Sequence, residues 1–271
     1  MKTKDLIAKR MRRERAHLRK ERNKQAEPTQ SQKSKTEGEF TIPEGFAEQV
    51  LKEVKKLPGL AIAEQEIMRR RDMRDVLTFT IDPDEAKDFD DALSFQLLEN
   101  GNYQIGIHIA DVTHYVEEQT ALDEEAYQRG TSVYLVDRVI PMLPERLSNE
   151  LCSLRPDEDK LCMSVIVEMD EEAKVLKYKI CRTVIRSNYR LTYRQAQDIL
   201  EQKECSMVGT DLPVVSQPIQ GLDKLAKILR ANRFRQGAIN FESSEVHFRL
   251  DEQGEPVEIF FHKSYDSNHL I

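Results

Sequence analysis

The sequence predicts an α+β domain: a mixed, largely antiparallel sheet with interspersed helices. Short runs rich in β-branched and aromatic residues recur along the chain, several of them paired across tight turns. Amphipathic stretches of helical spacing fall irregularly between them, without the regular strand–helix alternation that builds a parallel sheet. Hydrophobic residues make up 39% of the 271, enough for a core, although charged residues reach 33%, above the usual quarter or so.

Residues 1–40 hold 13 Lys/Arg and 6 Asp/Glu, a balance of +7 within a chain of net charge −7. This basic arm has strong helix formers but almost no apolar stripe, so an isolated helix there would be marginal. Pro28 to Gly38 is a polar linker. The arm reads equally as an RNA-holding extension or as a solvated tail. Residues 41–74 form a helical lead-in. Phe46, Val50, Val54 and Leu57 recur at helical spacing until Pro58-Gly59 stops them, and a second helical piece spans 62–71.

The main domain, 75–271, opens with a strand over Asp75–Ile81 and another over Ala92–Leu98. Asn100-Gly101 then gives a hairpin signal. A strand follows around Ile107. A helix over Leu122–Arg129 is capped by Gly130, and Thr131–Val136 is extended. Leu161–Met169 and Val175–Ile185 make a strand pair. Thr192 caps a helix over Tyr193–Glu201, and Leu222–Arg235 is a longer amphipathic helix. Glu245–Leu250 and Val257–His262 close the chain as a hairpin. There is no internal repeat.

Composition excludes several classes. No run of 18 apolar residues exists, so no membrane span is expected. The basic N-terminus has no apolar stretch behind it and is not a secretory signal. Cys152, Cys162, Cys181 and Cys205 form no Cys-x-x-Cys pair and read as reduced buried thiols. The six histidines lack zinc spacing, and His108 and His114 read as structural. The cytoplasm is the expected compartment.

The chemistry concentrates in Asp82-Pro83-Asp84-Glu85-Ala86-Lys87-Asp88-Phe89-Asp90-Asp91. Ionised carboxylates this close repel one another, and a hard cation such as Mg²⁺ would relieve that repulsion with oxygen ligands. Taken alone, an Asp-rich run of this kind reads first as a solvated acidic loop. An EF-hand is excluded, because Ala86, Lys87 and Leu93 stand where it needs an oxygen ligand, Gly and Glu.

Thr80-Ile81-Asp82-Pro83 and Ala86–Ala92 resemble the acidic motif of the ribonuclease II and ribonuclease R family, 3′→5′ exoribonucleases with an RNB catalytic domain. The resemblance continues through Ile107–Val116, Arg129–Tyr134, Val139–Pro144, Leu147–Leu154 and Gly237–Glu242, in family order at family spacing. It covers roughly residues 44–271 and is stronger to the ribonuclease R branch.

The resemblance implies that Asp82, Asp88, Asp90 and Asp91 are catalytic, metal-site carboxylates holding Mg²⁺, with Mn²⁺ able to replace it. It implies that Tyr134 stacks on the terminal nucleotide and that Phe241 is a second stacking aromatic. The substrate implied is single-stranded RNA, cleaved to 5′-nucleoside monophosphates; no protein partner is implied. Asp84 and Glu85 are expected to be exposed, and Arg129 and Arg138 are candidates for phosphate contact. The chain ends at Ile271, before the family's second half of the RNB domain and its catalytic arginine. A partial RNB domain is therefore expected, with exposed apolar surface and little turnover. The alternative is a catalytically incompetent remnant that binds RNA or metal.

Overall fold

The computed structural model describes residues 43–203, 212–239, 246–251, 256–261 and 265–270. The basic arm, Phe241 and Cys205 lie outside the described residues. From Glu44 onward the chain forms one compact unit. Its elements are α1 (Glu48–Lys56), α2 (Glu64–Met68), β1 (Arg71–Asp72), β2 (Thr78–Asp82), β3 (Asp91–Leu97), β4 (Tyr103–Ala110), α3 (Ala121–Arg129), β5 (Val133–Tyr134) and β6 (Val139–Ile140). There follow a π-helical turn (Arg146–Leu151), β7 (Asp159–Met169), β8 (Val175–Arg186), β9 (Tyr189–Thr192), α4 (Tyr193–Leu200), α5 (Leu212–Arg235), β10 (Val246–Leu250) and β11 (Pro256–Phe261). The α+β class and the antiparallel majority stand.

Seven strands pair in the order β1-β8-β7-β4-β3-β2-β9. The β1–β8 and β2–β9 pairs are parallel, and the others antiparallel. Only Ser187 and Asn188 separate β8 from β9, yet these strands stand on opposite sides of that order. The sheet must therefore close on itself. Arg71 faces Thr183 and Phe79 faces Tyr189, so β1–β2 and β8–β9 form one bent parallel seam. Thr78 and Asn188 bridge its gap: the Asn188 N–H donates to the Thr78 carbonyl at 2.7 Å, and the Asn188 side chain accepts from the Thr78 N–H at 2.9 Å. Closure along this seam pairs strand edges that an open sheet would expose.

Strand alternation sorts the side chains. Phe79, Ile81, Leu93 and Phe95 face outward and are covered by Ala196 and Ile199 of α4 and by Val215, Ile219, Leu222 and Leu225 of α5. Thr78, Ser94, His108, Ser164 and Thr183 take the other face and are buried. His108 Nε2 lies 3.0 Å from Ser94 Oγ, and Nδ1 lies 2.7 Å from Ser164 Oγ. Ser164 Oγ lies 2.6 Å from Thr183 Oγ1. Gly106 makes room for this cluster: a Cβ there would lie 2.3 Å from Ser94 Oγ and 2.5 Å from His108 Nε2.

The lead-in is stitched into the same unit. Val50 and Val54 of α1 join a second core with Met73, Ala92, Leu122, Leu147, Leu154 and Cys162. Glu53 accepts the N–H groups of Ala121 and Leu122 at 3.2 and 2.9 Å, serving the otherwise orphaned donors at the start of α3. Arg146 answers at the end of α1, donating to the carbonyls of Val54, Leu57 and Pro58.

Several sequence expectations shift. The expected first strand, Asp75–Ile81, starts only at Thr78 as β2, and β1 (Arg71–Asp72) precedes it within the expected helical lead-in; the gap at Met73–Leu77 lets the seam bend. The second helical piece shrinks to Glu64–Met68, and β9 and the π-helical turn went unread. Helix α5 begins at Leu212, ten residues before the expected start, and runs through Pro218. Pro218 and Gly221 look like breakers in the sequence. In the fold, Val215, Ile219 and Leu222 bury one stripe, and this burial outweighs the one helix hydrogen bond that proline removes. Gly221 is required by contact, because a Cβ there would lie 2.4 Å from the Phe95 ring.

Candidate active site

The acidic run connects β2 to β3 at one end of the barrel. Asp82 is the last residue of β2 and pairs with Thr192 of β9. Asp91 is the first of β3 and pairs with Ile109 of β4. The loop between them is pinned by backbone bonds: Ala110 N–H donates to Asp90 O at 2.9 Å and Leu154 N–H to Phe89 O at 2.8 Å. Ser153 is fully buried. Its hydroxyl accepts from Phe89 N–H and donates to Lys87 O, both at 3.0 Å. Phe89 thus turns toward the second core while its acidic neighbours turn away.

Burial holds Asp82 above the usual carboxylate range, at about 6, with Asp91 and Asp88 adding repulsion. The Thr80 hydroxyl and Arg190 guanidinium act in the opposite direction. Thr80 lies beside Asp82 without reaching hydrogen-bond geometry, and Asp82 Oδ2 is buried and unpartnered. Asp90 is open to solvent on one side. The protein crowded around its other sides still raises its pKa, as do Asp88 and Asp91. Desolvation also raises Asp91.

Tyr134 stands beside this cluster on the β5–β6 hairpin, where Val133 pairs with Ile140 and Tyr134 with Val139. Its side chain is 70% exposed, and partial burial together with the charges of Asp88 and Asp90 raises its phenol pKa. An exposed aromatic beside carboxylates is poor packing but a good platform for a flat ligand.

Among the described residues, no three His, Cys, Asp or Glu side chains converge closely enough to enclose an ion. The donor set nevertheless fits Mg²⁺. It consists of carboxylates, one of which has a buried oxygen lacking any partner. Mg²⁺ is commonly held by one or two protein carboxylates, with waters and phosphate oxygens completing its shell.

The structure sets Asp82 within electrostatic range of Asp88 and Asp91, Asp90 within range of the same two, and Tyr134 within range of Asp88 and Asp90. Asp84 and Glu85 are exposed, as expected. Arg129 and Arg138 are engaged elsewhere. Arg129 bonds Glu125 and the Pro141 and Gly45 carbonyls and covers the Phe46 ring; Arg138 pairs with Asp137 and Glu44. The residue that sequence reading missed is Arg190 of β9. Its Nη2 donates to Pro83 O at 2.5 Å and Asp84 O at 3.0 Å, and its guanidinium carbon lies 5.5 Å from the Phe89 ring centroid.

A closed barrel with this acidic connection defines the class. A model of the RNB domain matches residues 70–271, and the chain belongs to the RNB domain family. Its relatives there include ribonuclease R of Aquifex aeolicus, 41% identical over 232 residues that cover 86% of this chain and 32% of that protein. Ribonuclease R of Thermotoga maritima is 44% identical over 230 residues, covering 84% of this chain and 32% of that one. Among solved structures, Mycoplasma genitalium RNase R in complex with ribose methylated single-stranded RNA superposes with a TM-score of 0.75 at 28% identity, covering 83% of this chain and 34% of that one. The chain spans about a third of the length of these curated relatives.

Proposed function

We propose that this domain carries the metal-binding end of a hydrolytic 3′→5′ exoribonuclease that shortens single-stranded RNA to 5′-nucleoside monophosphates. The observation that carries this reading is the placing of Asp88 and Asp90 beside the exposed Tyr134 ring, in a domain whose relatives include ribonucleases R. Asp82, Asp88, Asp90 and Asp91 would hold Mg²⁺, or Mn²⁺ in its place. Bound there, the ion would supply Lewis-acid polarisation of the phosphodiester and an activated water. The carboxylates would fix the ion's location, and the bonds from Ser153, Leu154 and Ala110 keep their loop from drifting. Tyr134 offers a stacking face to the last base. Stacking accepts any base, so successive nucleotides can occupy one site without sequence selection. Phe241 is assigned the second stacking role. The free thiols of Cys152, Cys162 and Cys181 fit the reducing cytoplasm.

The test is Asp90→Asn in a chain extended through the second half of the RNB domain; the substitution keeps side-chain size and removes one charge. It is expected to slow Mg²⁺-dependent shortening of 5′-labelled single-stranded RNA by about 100-fold or more, while RNA affinity stays within a few-fold. Undiminished shortening by Asp90→Asn would sink the assignment. The second reading, a domain that binds RNA or metal without turnover, draws on the absence of three converging acids among the described residues. RNA binding without any shortening by a wild-type chain extended through the second half of the RNB domain would select it.

A further inference from the structure

Arg190 reaches the acidic loop from β9, a strand whose parallel register sets Asp82 opposite Thr192 and Thr80 opposite Arg190. One nitrogen of its guanidinium donates to two successive loop carbonyls, Pro83 O and Asp84 O. The Ala86 N–H closes a turn on the same Pro83 carbonyl at 3.2 Å. The plane also lies near Phe89, the residue anchored by Ser153 and Leu154. Arg190 thus touches the loop at two places, the Pro83–Ala86 turn and Phe89 beyond it. Its Nε is buried and unpartnered, so the side chain leaves one donor unsatisfied and still makes these contacts.

We propose that Arg190 is the positioning residue of the acidic loop: its guanidinium fixes the Pro83-Asp84 turn so that Asp82, Asp88, Asp90 and Asp91 are held ready for one divalent cation. This rests on the metal-site reading under Proposed function. The role predicts a sign opposite to that of a simple charge. A cation this near the site repels Mg²⁺ or Mn²⁺, so if Arg190 mattered only as charge, neutralising it would tighten metal binding. If it positions the loop, neutralising it weakens binding despite the relieved repulsion. Groups that orient metal ligands from behind typically contribute 10- to 100-fold in affinity.

The experiment is Mn²⁺ titration by calorimetry on the wild-type chain, Asp90→Asn, Arg190→Met and Arg190→Lys, with a melting curve for each. Arg190→Met keeps the length of the stem and removes charge and donors; its Mn²⁺ Kd is expected to rise about 10-fold at a melting temperature near wild type. Arg190→Lys keeps the charge and is the milder change should Arg190→Met not fold. Its ammonium is not a planar fork with a face for Phe89, and its Kd is expected to rise at least about threefold. A folded Arg190→Met that binds Mn²⁺ as tightly as wild type or tighter overturns the proposal, as does a folded Arg190→Lys with wild-type affinity. If the wild type binds Mn²⁺, Asp90→Asn loses it and the Arg190 variants do not, the positioning role alone has failed. If the wild type binds no Mn²⁺, the metal-site reading fails and the positioning role with it.

Discussion

Inside the barrel, His108 places both ring nitrogens against hydroxyls, and Ser164 passes the chain on to Thr183. At the mouth, on the same β2–β3 ladder, Asp82 keeps a buried oxygen without a partner and faces further carboxylates. Ser94 of the inner cluster pairs with Thr78, only four residues before Asp82. One fold thus satisfies buried polar groups in its middle and leaves them unsatisfied at its end. A buried polar group without a partner costs about 1–3 kcal/mol, and perturbed carboxylates gathered in one place point to function. The satisfied cluster belongs to stability and the unsatisfied one to binding.

The comparison can be broken most forcefully from inside. His108→Ala removes the hub, leaves the Ser94 and Ser164 hydroxyls short of a partner, and opens a cavity in a fully buried site. We expect a loss of about 3 kcal/mol or more in urea denaturation. A loss below about 1 kcal/mol would show that the inner network is not what holds the barrel.

Acid titration sharpens the same contrast. Burial lowers the His108 pKa from 6.5 to about 4, so the unfolded chain takes up its proton first as pH falls. The unfolded state then binds more protons between about 6.5 and 4. Stability carried by neutral His108 is full above that window and lost as pH falls through it, by up to about 3 kcal/mol. The raised carboxylates at the mouth act oppositely, protonating first in the folded state. The difference between wild-type and His108→Asn stability at pH 7 and pH 4.5 isolates the histidine; wild type should lose more. Parallel profiles would remove His108 from the acid response.

The smallest stability effect belongs to the mouth. Tyr134→Ala should change stability by no more than about 0.5 kcal/mol, because the ring is mostly exposed. RNA affinity should fall by about 1–3 kcal/mol, the range for one stacked base. A stability loss comparable to that of His108→Ala, or unchanged RNA affinity, would erase the distinction between the two regions.

Features read directly from the sequence depend on near neighbours. Thr192 caps α4 through a reciprocal pair with Gln195, at 3.1 and 2.8 Å; Gly130 ends α3 at φ 73°. The β3–β4 and β7–β8 hairpins and the closing hairpin follow from alternation and turn residues. The acidic run and Tyr134 were visible as letters, because a concentration of one charge type and the order of motif blocks are properties of the chain itself. Their gathering at one mouth was not.

What only the tertiary structure decided joins residues far apart in the chain. Arg190 meets Pro83 across 107 positions, and β9 exists only because a two-residue link carries the chain across the seam to lie beside β2. The polar network spans four strands, and each of its hydroxyls looks like an ordinary strand residue until the barrel closes. Helix α5 crosses Pro218 because the strand surface beneath it offers Val215, Ile219 and Leu222 a place to be buried. Local propensity ranks the conformations of a segment; the apolar area that a distant segment can cover, and the polar partner it can supply, select among them.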